Sequence, residues 1–129
     1  MILAEAVRVA IDAAYSSVLE KPRQYIGASS VGAPCDAQVA FSLRGFPEDP
    51  IEPRVRRIFK LGHIIEDMVV ADLKKAGFHV YDRDSLTGKQ YAYSEHGGHV
   101  RAHADGLIDL GDGELRVLEI KSVNAEGFK

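Results

Sequence analysis

Between residues 99 and 122 two stretches of alternating apolar and polar residues flank Gly111-Asp112-Gly113, and no other feature of the sequence restricts the fold as tightly. Glycine and aspartate tolerate the positive backbone angles of tight hairpin connections, so His99 to Leu110 and Glu114 to Ser122 are expected to pair antiparallel through a three-residue loop. Leu110 then faces Glu114, and equal outward steps set Asp105 opposite Glu119 and His103 opposite Lys121, unless a bulge shifts the register by one residue. Opposed Cβ atoms lie about 5 Å apart. Because side chains alternate at period two, Asp105, Glu119 and Lys121 are expected on one face. Two carboxylates so close raise each other's pKa unless a cation lies between them, and a hard, oxygen-seeking Mg²⁺ or Mn²⁺ is the expected partner. Glu119 and Lys121 also interrupt the apolar run Val117-Leu118-Glu119-Ile120-Lys121, where unpaired charges are expected to be costly.

A chain of 129 residues, 46% of them hydrophobic, can bury one core, so one soluble globular domain is expected. Leu3 to Glu20 carries apolar residues at Val7, Ala10, Ile11, Ala14 and Val18, the spacing of an amphipathic helix that Pro22 ends. A loop from Tyr25 to Pro34 follows, then a short helix from about Cys35 to Arg44 that stops at Gly45. The connector Phe46 to Pro53, with three prolines, separates an N-terminal helical segment, 1–45, from a core, 46–129. A long helix is expected from near Arg54 to Gly77, whose last turn holds Lys74 and Lys75. The period then becomes strand-like over Phe78 to Asp82, turns at Thr87-Gly88, and resumes over Gln90 to Ser94. The order predicts an α/β protein of the α+β kind, with a mixed sheet.

Projected at about 100° per residue, the long helix places Val55, Ile58, Gly62, Val69, Leu73 and Ala76 on one stripe, with Glu66 just inside its edge. A third carboxylate is thereby aimed at the core. His63 flanks the same edge one turn earlier, and Gly62 permits a close approach by backbone or ligand. Asp67, Lys60, Arg56 and Lys74 project to the opposite, solvated side.

The net charge of −3 argues against a globally basic nucleic-acid-binding surface, but not against a local basic strip. Arg54, Arg56, Arg57 and Lys60, with Arg101 on the hairpin, are the candidates for neutralising phosphates; Arg23, Gln24, Tyr25, Ser29 and Ser30 are read chiefly as a loop that can also line the approach to a site. His96, His99 and His103 lack the common face and the cysteine that a zinc site calls for. A single cysteine, Cys35, excludes an internal disulfide. No run reaches the roughly 18 apolar residues of a membrane span and the first 20 residues lack a secretory pattern, so a cytoplasmic protein without membrane contact is expected.

The ordered set Gly62-His63-Ile64-Ile65-Glu66, His103-Ala104-Asp105-Gly106 and Leu118-Glu119-Ile120-Lys121-Ser122 resembles the PD-(D/E)XK nucleases, within them the RecB-like and phage-exonuclease branch, over about residues 59–128. The resemblance implies a restriction-endonuclease-like core and a Mg²⁺- or Mn²⁺-dependent deoxyribonuclease acting on DNA in phage or prophage recombination or processing, exonucleolytic by preference. It implies that Asp105 and Glu119 ligate the metal with the Ile120 carbonyl, that Glu66 binds directly or through water, that Lys121 positions or deprotonates the attacking water, and that His63 supports them. Ala104 stands where the motif has its proline. Relatives continue beyond this point, so Ala125-Glu126-Gly127-Phe128-Lys129 reads as the lead-in to a further helix. The C-terminal part of the core is therefore expected to be missing or supplied by a second subunit or a homo-oligomer. The competing expectation is a catalytically silent nuclease-like module that binds nucleic acid or a protein partner.

Overall fold

The computed structural model describes residues 2–17, 21–124 and 126–127. Val18 and Glu20 of the first expected helix, and Ala125, Phe128 and Lys129 of the expected lead-in, lie outside the described residues. The protein is mixed α/β; its described residues form helices α1 (Leu3–Ser16), α2 (Asp36–Leu43) and α3 (Pro53–Lys75) and six short strands: β1 (Ile26–Gly27), β2 (His79–Tyr81), β3 (Ala92–Glu95), β4 (Val100–His103), β5 (Gly106–Asp109) and β6 (Leu115–Leu118).

Local chemistry sets the helix ends. Pro53 occupies the first turn of α3, where its missing N–H costs no intrahelical bond. At the far end Gly77 adopts φ +94°, Phe78 N–H donates to the Leu73 carbonyl and Gly77 N–H to that of Lys74, the pair of bonds that closes a Schellman motif. Helix α2 ends the same way at Gly45, with Phe46 N–H on the Phe41 carbonyl. The Phe41 and Phe46 rings, 5.3 Å apart, supply the apolar contact that accompanies this cap.

The hairpin register is the one the glycine loop predicts: Asp109 pairs with Leu115, Ile108 with Arg116, Leu107 with Val117 and Gly106 with Leu118. Asp109 Oδ1 accepts the N–H groups of Gly111 and Gly113 and so fixes the loop from inside. The expected unbroken strand from His99 to Leu110 is corrected, because the chain changes sheets at Ala104-Asp105. Ala104, 2% exposed, donates its N–H to the Tyr91 carbonyl, which draws β4 toward β3. One sheet has the order β1-β4-β3, with β1 parallel and β3 antiparallel to β4; the other is antiparallel, in the order β2-β5-β6. His103 therefore pairs with Ala92 rather than with Lys121.

The core lies between α3 and the second sheet. Val70, Val80, Ile108 and Ile120 are buried together, with Val69, Leu73 and Leu118 packed against them. The expected α3 stripe is corrected at both ends: Ile58 and Ala76 are exposed, and Val70, outside that stripe, is the helix's buried residue. The reason is that α3 meets the sheet only along its C-terminal half, where Val80 and Ile108 receive it. Its first half instead carries α1, through an ion pair of Asp12 with Arg57 and the Tyr15 ring, 5.9 Å from both the Arg57 guanidinium and the Lys60 ammonium. The segment ahead of the proline connector thus supports α3 and adds β1 to the sheet of β3 and β4.

This core is small for the chain. The molecule exposes 10451 Å² at 14.1 kDa, where a compact monomer of that mass exposes about 6700 Å². Leu61, Ile64 and Met68 on α3 and Leu115 and Val117 on β6 contribute exposed apolar surface.

Close approach sets a strict condition at Gly106. A Cβ there would stand 3.1 Å from the Tyr81 carbonyl oxygen and 3.4 Å from Asp82 Cα, both backbone atoms of the adjoining chain. Gly106→Ala is expected to destabilise the fold by about 1–3 kcal/mol, read as a lower urea midpoint. An unchanged midpoint would show that β2 and β5 do not approach as closely as this.

Candidate active site

The end of the β5–β6 ladder is where the acidic groups gather. Past the Gly106–Leu118 pair the ladder no longer uses backbone on both sides: Asp105 Oδ2 accepts the Ile120 N–H at 2.6 Å. The Asp105 carboxylate thereby joins the start of β5 to the segment carrying Glu119 and Lys121. Burial alternates from Leu118 to Lys121, with Ile120 in the core and Glu119 and Lys121 outward, so the last two share a face as the register implied. The expected cost of charges in an apolar strand is corrected, because that face is open: the Lys121 side chain is 71% exposed and forms an ion pair with Glu119.

Glu66 reaches the same region from α3. It lines a pocket of about 30 Å³ with Asp105, Asp67, Val70, Asp82, Arg83 and Gln90, room for little more than a water molecule or two. The Nδ1 atom of His63, whose side chain is 76% exposed, lies 3.0 Å from Glu66 Oε2, one helical turn away. Gly62 faces the Ser122 hydroxyl, to which an added Cβ would come within 3.6 Å, so the segment after Lys121 runs beside α3. The Lys121 ammonium is held above its ordinary pKa of 10.5, first by its hydrogen bond to Glu119, then by the charges of Glu119, Asp105 and Glu66. Three acids from three distant stretches of chain therefore act on one cation.

Other expectations are revised by position. Asp67 is exposed, as expected for the solvated side of α3, and it also lines the pocket, because the connection between β2 and β3 folds over that edge of the helix. Arg83 and Gln90, on this connection, also line it and were not singled out; the polar residues flanking the Thr87-Gly88 turn were their only signal in the sequence. Asp82, a neighbour in the lining, is held below its ordinary pKa chiefly by a 2.6 Å hydrogen bond from Lys74.

None of the basic candidates Arg54, Arg56, Arg57, Lys60 and Arg101 lines this pocket. Arg57 is engaged by Asp12 and Tyr15, Arg56 Nε donates to the Ile51 carbonyl, and Lys60 lies over Tyr15. Arg54 is exposed, and Arg101 lies over the Tyr25 ring on the other sheet.

Among the described residues no group of three or more His, Cys, Asp or Glu side chains closes around a point as a metal ligand set. The expected set of Glu66, Asp105 and Glu119 is divided, since Glu119 turns to Lys121 and Asp105 to the Ile120 N–H. Among the described residues no helix is long and apolar enough to cross a membrane. No family model matches the chain, and no curated protein or solved structure is significantly similar to it.

Proposed function

We propose that this chain carries the centre of a divalent-metal-dependent nuclease that hydrolyses DNA phosphodiesters, built on a restriction-endonuclease-like core. The observation that carries the reading is geometric: Glu66 and Asp105 line one small pocket, and Asp105 Oδ2 holds the Ile120 N–H between Glu119 and Lys121. Two carboxylates brought from a helix and a strand start to one pocket, next to an outward acid–lysine pair, support a functional site there.

The donor set fits a hard cation. Glu66, Asp105 and Glu119 would offer it carboxylate oxygens, and the main chain at Ile120 would offer a carbonyl. Such an ion, Mg²⁺ or Mn²⁺, polarises a phosphate and lowers the pKa of bound water when present. Were such an ion bound, Glu119 would hold it in place of pairing with Lys121, and the ammonium would be free to face the negative charge that develops on the attacked phosphate. His63 holds Glu66 in place by its hydrogen bond.

Linear double-stranded DNA incubated with the protein and Mg²⁺ is expected to shorten, and EDTA is expected to stop this entirely. Undegraded DNA in Mg²⁺ and in Mn²⁺ alike, with binding retained, would instead favour the non-catalytic module.

A further inference from the structure

The connection between β2 and β3 closes on itself and brings two polar side chains to the pocket of Glu66 and Asp105. Asp84 N–H donates to the Lys89 carbonyl at 2.9 Å and Gly88 N–H to the Asp84 carbonyl at 2.8 Å, while Asp84 Oδ1 accepts the N–H groups of Leu86 and Thr87. Gly88 takes the positive φ, +67°, that so tight a loop requires. Arg83 and Gln90 stand just outside this closure, one at each end, and both line the pocket. The rest of the lining is acidic apart from Val70: Glu66 and Asp67 come from α3, Asp82 follows β2 and Asp105 precedes β5. Three of these acids have donors of their own, Lys74 on Asp82, His63 beside Glu66 and the Ile120 N–H on Asp105. Arg83 is different. It is exposed, and among the described residues it forms no ion pair and no hydrogen bond. A cation thus stands at the mouth of an acidic pocket without being paired to any of its acids.

We propose that Arg83, with Gln90 beside it, holds a DNA phosphodiester at the mouth of the Glu66–Asp105 pocket. The proposal rests on the nuclease reading above and adds to it the group on this chain that receives the substrate. The pocket, about 30 Å³, is too small for a phosphate group, which stays at the mouth where Arg83 and Gln90 are exposed. Carboxylates repel a phosphodiester, so its approach here calls for a cation not already paired, and Lys121 is held by Glu119. The planar guanidinium suits the two terminal oxygens of a phosphodiester, which it takes through parallel hydrogen bonds. The Gln90 amide adds a neutral donor next to it. With a hard cation held by Glu66 and Asp105 the same phosphate is drawn inward, so Arg83 is expected to act on binding chiefly when the ion is present.

Arg83→Gln provides the test, because an exposed side chain bonded to no described residue can be lost without harm to the fold. Binding to linear double-stranded DNA is measured in Ca²⁺, a hard ion that takes the same oxygen ligands, and again in EDTA. In Ca²⁺ the substitution is expected to weaken binding about tenfold, the loss of one charge-assisted contact, and to lower the slope of log affinity against log salt by about one. In EDTA the two proteins are expected to bind alike. Arg83→Lys, which keeps the charge and loses the fork, is expected to fall between them in Ca²⁺. Arg8→Gln removes an equal charge from α1, where Arg8 pairs with Glu5 and Asp12, and is expected to bind as the natural chain does. Natural affinity in Arg83→Gln, an equal loss in Arg8→Gln, or an equal loss in EDTA overturns the proposal. So does a loss that comes with a lower urea midpoint, which makes Arg83 a structural counter-charge to the acids. Arg83-dependent binding in Ca²⁺ without cleavage in Mg²⁺ upholds the contact and removes the nuclease; cleavage in Mg²⁺ that Arg83→Gln leaves unchanged does the reverse.

Discussion

Lys121→Ala is expected to slow cleavage of linear DNA by about 100-fold or more and to leave the fold nearly as stable as before. The two effects separate because of where the side chain lies. It is 71% exposed and its ion pair with Glu119 is a surface one, so its loss costs at most about 1 kcal/mol after solvent screening. Its effect on the reaction has a different origin. Glu119 holds the ammonium on the open face beside Asp105, and a lysine is charged near neutral pH. Removing it leaves the developing charge on phosphate without that partner. Single-turnover rates for natural and substituted protein, beside urea melts of both, test the point. Cleavage within a few-fold of the natural rate would remove Lys121 from the reaction and with it the nuclease centred there.

What the sequence disclosed and what it concealed divide along the reach of the interactions. The pairing of Asp109 with Leu115 and of Gly106 with Leu118 follows from three residues, Gly111-Asp112-Gly113, whose backbone angles fix the register within a few bonds. The ends of α2 and α3 follow from Gly45 and Gly77 for the same reason. The alternation His79, Val80, Tyr81 gave the buried Val80, because a strand against one helix has one dry face.

The break at Ala104-Asp105 is different. Periodicity runs unbroken through it, and only the Tyr91 carbonyl, thirteen residues away in sequence, takes the Ala104 N–H and diverts the strand. The inward edge of α3 was likewise misplaced by one position, at Val70, since the wall that receives it is β2 and β5 rather than a sheet along its whole length. Asp67, Arg83 and Gln90 were missed for a related reason: a pocket made by a connection folding over a helix leaves no periodic trace. A charge run does not reveal its partners either: Arg57, in the first turns of α3, has Asp12, forty-five residues upstream.

Asp105 combines the two requirements that Lys121 keeps apart, and its two substitutions are expected to divide them. Asp105 Oδ2 is the acceptor for the Ile120 N–H, and Ile120 is one of four residues buried together in the core. Asp105→Ala leaves that partly buried amide without an acceptor and is expected to cost about 1–3 kcal/mol, read as a lower urea midpoint, together with loss of cleavage. Asp105→Asn places a carbonyl oxygen where Oδ2 was and restores the acceptor, so its stability is expected within about 1 kcal/mol of the natural chain. It removes the negative charge, however, and a neutral amide is a poor ligand for a hard divalent cation beside Glu66 and Glu119. Asparagine is therefore expected to rescue the fold and not the reaction. If Asp105→Asn cleaves DNA at the natural rate, the carboxylate serves only to tie β5 to the segment after β6; if Asp105→Ala melts with the natural chain, it does not serve even that, and the geometry from which the site is built is wrong.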